Sequence, residues 1–109
     1  MSTSKAIGRI LRVGGFVSEI FSSAEAALAS DTVAADCLVV DIHLPGMSGF
    51  ELYNRLALHE VIPPTIFITA HDDPAIRSEA RRTGATGYLP KPFRGRTLLD
   101  AIHKAISSR

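Results

Sequence analysis

Three residues with charged or hydroxyl side chains stand at the ends of short apolar runs. Asp41 interrupts the run CLVVDI, Thr69 lies near the end of TIFITA, and Lys91 follows TGYLP. A carboxylate, a hydroxyl and an ammonium could bind one charged group if the fold brought them together. Each residue also has a plainer explanation: Asp41 as a loop cap, Thr69 as a residue with β propensity, and Lys91 as a solvated lysine. Whether the three residues form one binding site or have these separate roles depends on the helices and strands that position their side chains.

Helical and strand patterns alternate along the chain. The predicted helices span residues 4–13, 22 to about 30, 49–60, 73–84 and 97–106, and the predicted strands span 16–21, 37–42, 65–70 and 86–90. This alternation predicts an α/β fold, a doubly wound parallel sheet with helices on both faces. Working sites of such sheets lie at the carboxyl ends of the strands, where Asp41, Thr69 and Lys91 fall. The pattern therefore predicts that the three side chains meet at one edge of the sheet.

Helix-end signals support two of the predicted helices. The sequence SSAE matches a capping box, with Ser22 as the N-cap and Glu25 three residues later. Asp73 is predicted to cap the fourth helix, with Pro74 at its first position and Gly84 as its terminator.

Length and composition bound the class of protein. The chain has 109 residues, of which 46% are hydrophobic, so one domain with its own core is expected. The formal net charge of +1 gives no support for binding to nucleic acid or to an acidic membrane surface. The single cysteine, Cys37, allows no internal disulfide, and neither a signal peptide nor a membrane-spanning run is recognised. These features predict a cytoplasmic protein.

Three motifs of the chain are similar to those of a known family. They are VVDIHLPGMSGFEL at 39–52, IFITAHDD at 66–73 and GYLPKPF at 87–93. In this order and spacing they resemble the receiver domain of two-component response regulators, over a stretch from about Ser4 to the end of the chain. The resemblance implies a flavodoxin-like doubly wound sheet, and a signalling protein rather than an enzyme.

The resemblance implies a role for each residue at the strand ends. Asp41 matches the aspartate that accepts a phosphoryl group from a histidine kinase or a phosphotransfer protein. Thr69 and Lys91 match the residues that bind the phosphoryl oxygens, and Tyr88 matches an aromatic residue that turns inward with the threonine on activation. Ammonium and hydroxyl donors suit a dianionic acyl phosphate, because phosphoryl transfer depends mainly on positioning and charge neutralisation.

Four further residues are predicted to flank the same pocket. They are His43, Ala70, His71 and Pro92. The Lys91–Pro92 bond matches a peptide bond that is usually cis in the family. In the family, the positions of His43 and His71 tune how fast the phosphoryl group is lost, and this role is favoured over a transition-metal pair.

Magnesium is the cofactor that the resemblance implies, with Asp41 and the backbone carbonyl of His43 among its ligands. In the family a first strand ends in a pair of acidic residues that hold the metal. Only Met1–Thr3 precede the first predicted helix, so the strand and the acidic pair have no counterpart in the sequence. The remaining ligands are few for an ion that requires octahedral oxygen geometry. Asp72 and Asp73 are candidates to lend an oxygen, although helix capping explains Asp73 better.

The expected architecture is a receiver domain over residues 1–109 that lacks the first strand and keeps four strands and five helices. The missing strand would lie between those at 16–21 and 37–42. Three solutions remain open: the two strands close up, two chains associate at the exposed edges, or upstream residues are absent from the sequence. Dimerisation through the exposed region is our hypothesis, and a monomeric mass at roughly tens of micromolar would contradict it.

Two functions from different classes remain. The first is a stand-alone receiver that passes a phosphoryl signal to a downstream regulator protein, since no output domain is recognised in the sequence. The second is a degenerate receiver that takes no phosphoryl group and acts as a protein-binding module, for example by competing for a kinase. The presence of Asp41, Thr69 and Lys91 favours the first function, and the absence of the acidic pair favours the second.

Overall fold

The computed structural model of the chain describes residues 3–21, 23–30, 34–44, 46–58 and 61–107. Those residues form five helices and three strands. The helices are α1 (Thr3–Val13), α2 (Ala24–Leu28), α3 (Gly49–Ala57), α4 (Pro74–Thr83) and α5 (Gly95–Ser107), and the strands are β1 (Leu38–Asp41), β2 (Thr65–Thr69) and β3 (Gly87–Pro90). None of these helices is long and apolar enough to cross a membrane.

The three strands form one parallel sheet in the order β1-β2-β3. Val40 of β1 pairs with Phe67 of β2, and Phe67 pairs with Tyr88 of β3. β2 is buried along its whole length, because it has a strand on each side and helices over both faces. Its uninterrupted run of β-branched and aromatic residues suits such a central strand. Parallel pairing places all three carboxyl ends at one edge of the sheet.

Two apolar clusters cover the two faces of the sheet. On one face Phe67 packs with residues of α2, α3 and α4, and its ring centroid lies 5.0 Å from that of Phe50 and 5.8 Å from that of Tyr53. On the other face Ile66 packs with Leu98 of α5 and with residues of α1. The doubly wound arrangement predicted from the alternation of helices and strands is confirmed.

The strand predicted at residues 16–21 is not formed, so the described residues give three strands where four were expected. Phe16 joins the apolar cluster that includes α5, whereas Phe21 joins the cluster on the opposite face. Between these two anchors Val17 and Ile20 are exposed. The alternating pattern alone does not make a strand, because among the described residues the segment has no neighbouring strand to complete its backbone hydrogen bonds.

The ends of α4 carry the predicted signals. Asp73 caps the helix, because its Oδ1 accepts a hydrogen bond from the backbone N–H of Ile76 at 2.9 Å. Pro74 is the first residue of the helix, where its missing N–H leaves no hydrogen bond unmade. Gly84 follows the helix with a φ of 106°, in the left-handed region that favours glycine. The cap, the first residue and the terminator of α4 are therefore as predicted.

Both boundaries of α2 differ from the prediction. At α2 the N-cap is Ser23, whose Oγ accepts a hydrogen bond from the N–H of Ala26 at 3.1 Å. Ser22, the predicted cap, lies outside the described residues. α2 ends at Leu28 rather than near residue 30, and the predicted end of α3, residues 59 and 60, also lies outside the described residues. Neither difference changes the layers around the sheet.

Candidate functional site

Asp41 and Lys91 form an ion pair at the carboxyl edge of the sheet. Asp41 is the last residue of β1, and Lys91 directly follows β3. Lys91 Nζ lies 2.8 Å from Asp41 Oδ2, and the lysine and aspartate side chains are 21% and 26% exposed, respectively. Thr69 ends β2, the strand between them. The fold thus gathers the three predicted side chains although they are far apart in the sequence.

The loop after β1 holds the other oxygen of the Asp41 carboxylate. Asp41 Oδ1 accepts a hydrogen bond from the backbone N–H of His43 at 2.9 Å. The loop then folds back, so that the N–H of Gly49 donates to the carbonyl oxygen of Ile42 at 2.8 Å. Asp41 is therefore oriented from two sides, by its ion pair and by its own loop.

Gly49 makes a close approach to β1 that a larger residue could not make. A Cβ atom at this position would lie 2.6 Å from the Asp41 carbonyl oxygen and 2.9 Å from Val40 Cγ1. Gly49→Ala should therefore push α3 away from β1 and lower the free energy of unfolding by about 1–3 kcal/mol, the usual effect of overpacking. Urea unfolding measures this change. Gly8→Ala is the control, because its Cβ would meet only the movable end of the Ile20 side chain, at 2.8 Å. An equal loss of unfolding free energy in the two variants would contradict a close approach of Gly49 to β1.

Thr69 is fully buried and links the three loops at this edge. Its Oγ1 accepts a hydrogen bond from the backbone N–H of His71 at 3.0 Å and lies 3.1 Å from Nε2 of His43. The tautomer of His43 decides whether the hydroxyl donates to that nitrogen or accepts from it. The carbonyl oxygen of Thr69 accepts from the N–H of Lys91 at 2.7 Å. Lys91 is thus tied to Thr69 by its backbone and to Asp41 by its side chain.

The two histidines predicted to flank the pocket belong to this network. The rings of His43 and His71 meet edge to face, with centroids 4.9 Å apart and an interplanar angle of 89°. Ala70 and Pro92, the other predicted flanking residues, are exposed, and the Lys91–Pro92 peptide bond is cis. The sequence indicates where the histidines lie but not the contact of the His43 ring with the buried hydroxyl, because that contact joins the loop after β1 to the end of β2.

Tyr88 makes its polar contact with the loop before α4. Its phenolic hydroxyl donates to Asp72 Oδ1 at 2.8 Å. Arg77 of α4 donates to the other oxygen of Asp72 at 2.6 Å, and its guanidinium carbon lies 5.9 Å from the centre of the Tyr88 ring. Sequence reasoning identifies Tyr88 and misses both partners. The opposite charges of Asp72 and Arg77, five residues apart, are the one signal that points to them.

The contacts around Asp72 shift two pKa values in opposite directions. The hydrogen bond from Tyr88, with a smaller contribution from Arg77, lowers the pKa of the Asp72 carboxyl. Burial, and then the hydrogen bond to Asp72, raise the pKa of the Tyr88 phenol. At neutral pH the group therefore combines an ionised carboxylate with a protonated phenol, which is the state in which the phenol can donate.

The oxygen donors around Asp41 do not fit a magnesium site within the part of the chain that the structure describes. Asp41 already holds an ion pair and a backbone hydrogen bond. Asp72 and Asp73, the substitute ligands that the sequence offers, hold a phenol, a guanidinium and a helix cap. No group of three acidic, histidine or cysteine side chains suited to a metal occurs among the described residues. The predicted ligands, Asp41 and the His43 carbonyl, gain no third protein donor there, although magnesium requires near-octahedral oxygens.

Comparisons with known proteins match most of the chain to one family. Residues 2–103 match the family model described as response regulator receiver domain. Nodulation protein W of Bradyrhizobium diazoefficiens is 37% identical over 103 residues, which are 94% of this chain and 45% of that protein. Transcriptional regulatory protein FixJ of Rhizobium meliloti is 36% identical over 102 residues, which are 93% of this chain and 50% of that protein. The chain spans about half the length of these relatives.

A solved structure extends the similarity from motifs to the fold. The crystal structure of a CheY-like response regulator receiver domain protein from Methanospirillum hungatei has a TM-score of 0.84 and 25% sequence identity to this chain. The match covers 95% of this chain and 84% of that one. The part of the chain matched to the family contains every residue predicted for the site.

Proposed function

Because this chain belongs to the family of response regulator receiver domains, which are modules of phosphorelay signalling, we propose that Asp41 accepts a phosphoryl group from a histidine kinase or a phosphotransfer protein. The observation that carries the proposal is the ion pair of Asp41 with Lys91, 2.8 Å long, beside the buried hydroxyl of Thr69. This arrangement offers a nucleophilic carboxylate, a countercharge and a hydrogen-bond donor at one edge of the sheet.

The transfer breaks the bond between phosphorus and the donor nitrogen and forms a bond between phosphorus and a carboxylate oxygen of Asp41. The electron pair of the broken bond stays on the donor imidazole, so no further reactant is needed. Lys91 can turn from the carboxylate to the transferred group and neutralise part of its charge. Because both oxygens of Asp41 are held, the direction from which a donor can approach is restricted, as an in-line transfer requires.

The hydroxyl of Thr69 is proposed as a second ligand of the phosphoryl group. Its oxygen already accepts the N–H of His71, so its hydrogen is the atom left to donate. In one tautomer of His43 that hydrogen is directed at Nε2, and a phosphoryl oxygen then has to replace the histidine. In that tautomer His43 competes with the phosphoryl group for the donor that the group requires.

A second candidate function is a protein-binding module that takes no phosphoryl group. Receiver domains typically bind Mg²⁺ at the phosphorylation site. The observation that favours the second function is the incomplete set of oxygen ligands around Asp41 within the described ranges. A chain of this kind would act by occupying a kinase or another regulator, and a loss of Asp41 would leave that activity unchanged.

Intact mass after incubation with a small acyl phosphate and magnesium separates the two functions. We expect the folded chain to gain one phosphoryl group, because Asp41, Lys91 and Thr69 supply the nucleophile, the countercharge and the hydrogen-bond donor. A folded chain that gains none supports the binding module. A gain that chelation leaves unchanged would mean that protein groups alone neutralise the phosphoryl charge.

Two protein partners are proposed beyond the kinase. A downstream regulator is proposed to read the face that carries Tyr88, because that side chain lies next to the site and borders the surface. A second copy of the chain is proposed at the free side of β1, where no strand pairs among the described residues and where exposed Val17 and Ile20 add apolar surface to the molecule. A monomeric mass in solution at roughly tens of micromolar would contradict this association with a second copy.

The cytoplasm is proposed as the location of the protein. Cys37 is the one cysteine of the chain and cannot form an internal disulfide. Burial raises its pKa to about 11, so the thiol stays protonated and unreactive near neutral pH. Such a chain needs no oxidising compartment, which supports the location without requiring it.

A further inference from the structure

Tyr88, Asp72 and Arg77 form a closed set of contacts, named here the Tyr88 latch. The phenol donates to one oxygen of Asp72 at 2.8 Å, and Arg77 donates to the other at 2.6 Å. The guanidinium carbon of Arg77 also lies 5.9 Å from the centre of the Tyr88 ring, within the range of a cation–π contact. Each member therefore contacts the other two, and both carboxylate oxygens of Asp72 are engaged.

The sheet register puts Tyr88 on the same face as Thr69. Tyr88 pairs with Phe67, and Pro90 pairs with Thr69. Because side chains alternate along each strand, these four residues point to one face of the sheet. The Tyr88 ring packs against the apolar cluster around Phe67, while its hydroxyl bonds to Asp72. A rotation that brings the ring toward Thr69 has to break the hydrogen bond to Asp72.

One loop carries both the latch and the buried hydroxyl. Asp72 lies three residues after Thr69, and His71 between them donates its N–H to Thr69 Oγ1. Asp73 fixes the far end of the loop by capping α4. A movement of Thr69 toward a phosphoryl group on Asp41 therefore displaces the residues that hold the latch in place.

We propose that Asp72 and Arg77 are positioning residues that hold the Tyr88 ring away from Thr69 and thereby oppose the activated arrangement of the site. This inference rests on the proposed acceptor function of Asp41. A contact made in one arrangement only shifts the equilibrium toward that arrangement. By linkage, release of the latch favours phosphoryl acceptance by the factor with which phosphorylation favours release.

The position of the Tyr88 ring is the first readout. Asp72→Ala removes the carboxylate that both other members contact, and Arg77→Met removes the guanidinium and keeps most of the stem. Glu79→Gln is the control, because it disrupts an exposed ion pair elsewhere on α4. We expect NMR cross-peaks between the Tyr88 ring and the Thr69 methyl group to strengthen in the first two variants and not in the control. No change in either latch variant would overturn the proposal.

The rate of phosphoryl gain from a small acyl phosphate is the second readout. Asp72→Ala and Arg77→Met should gain the group about three- to tenfold faster than the wild type, a modest factor because the Arg77 side chain is 54% exposed. Glu79→Gln should match the wild type. Unchanged rates in variants whose ring has moved would overturn the coupling between the latch and the acceptor.

Failure of the latch and failure of the proposed function give different results. A wild-type chain that gains no phosphoryl group refutes the acceptor role of Asp41, whereas the ring measurement needs no phosphorylation and still decides what Asp72 does. Combining Asp72→Ala with Tyr88→Phe should change the ring position no further than Asp72→Ala alone, because each substitution removes the same hydrogen bond. Additive effects would show that Asp72 and Tyr88 act independently and would overturn the latch.

Discussion

Asp41→Asn should slow the gain of a phosphoryl group from a small acyl phosphate by at least about 100-fold, because an amide oxygen is a far weaker nucleophile than a carboxylate. The amide keeps the shape of the side chain and can still accept the hydrogen bond from the N–H of His43. Intact mass spectrometry measures the loss. Asp100→Asn is the matched control, since it changes an exposed carboxylate of α5 and should leave the rate unchanged.

Stability has to be measured alongside, so that a loss of chemistry is not confused with a loss of fold. The Asp41 and Lys91 side chains are 26% and 21% exposed, and their separation should lower the free energy of unfolding by about 1–2 kcal/mol. A folded Asp41→Asn variant that still gains one phosphoryl group would assign the acceptor role to another residue. Peptide mapping of the labelled chain would then identify it.

Lys91→Met should slow phosphoryl gain by about 10- to 100-fold, the factor expected when a hydrogen bond to a charged group is lost in the transition state. In the wild type the Lys91 ammonium lies 2.8 Å from the Asp41 carboxylate. Methionine keeps the length of the side chain but leaves the phosphoryl group that is transferred to Asp41 without this positive charge. The rate is measured by intact mass over time. Lys91→Arg is the matched control and should recover part of the rate, because it restores the charge with a different shape.

The backbone of Lys91 keeps this test interpretable. Its N–H donates to the carbonyl oxygen of Thr69 at 2.7 Å whatever the side chain, so the end of β3 should stay in place in both variants. If Lys91→Met gained the phosphoryl group as fast as the wild type, the charge of the transferred group would have to be neutralised elsewhere, and the role proposed for the lysine would be wrong.

Helix α4 illustrates which features the sequence can predict. Asp73, Pro74 and Gly84 each act on backbone groups within one turn of their own position, so their residue types are sufficient to place both ends of the helix. β2 is also predictable, because a short apolar run between turn signals has few alternatives to a buried strand. In both cases the local sequence is enough to identify the element.

The segment at 16–21 illustrates the opposite case. FVSEIF has the alternation of a strand, but a strand also needs a neighbour for its backbone, and the sequence of the segment says nothing about that neighbour. Its aromatic ends pack on opposite faces of the sheet, and the residues between them remain irregular. Pattern reasoning fails here because the deciding interaction is not within the segment.

The candidate site also has some features that the sequence predicts and others that it does not. A meeting of Asp41, Thr69 and Lys91 is predictable, because parallel strands carry their carboxyl ends to one edge whatever the loop lengths. The hydrogen bond between His43 and Thr69 and the contacts of the Tyr88 latch are not predictable from periodicity. They depend on side-chain rotamers of residues that lie on different strands, loops and helices and that the fold brings together.

Asp41 lies on one of the two edge strands of the sheet. β1 pairs with β2 along one side, and no strand covers its other side among the described residues, whereas Thr69 lies on the fully buried central strand. Amide hydrogens of β1 should therefore exchange with solvent through local opening, at a lower free energy than those of β2, which exchange only when the whole domain unfolds. Each such opening removes the carboxylate from Lys91 while the other strands stay paired. As temperature or denaturant rises, the site should therefore lose its arrangement when this short edge strand frays, before the whole domain unfolds.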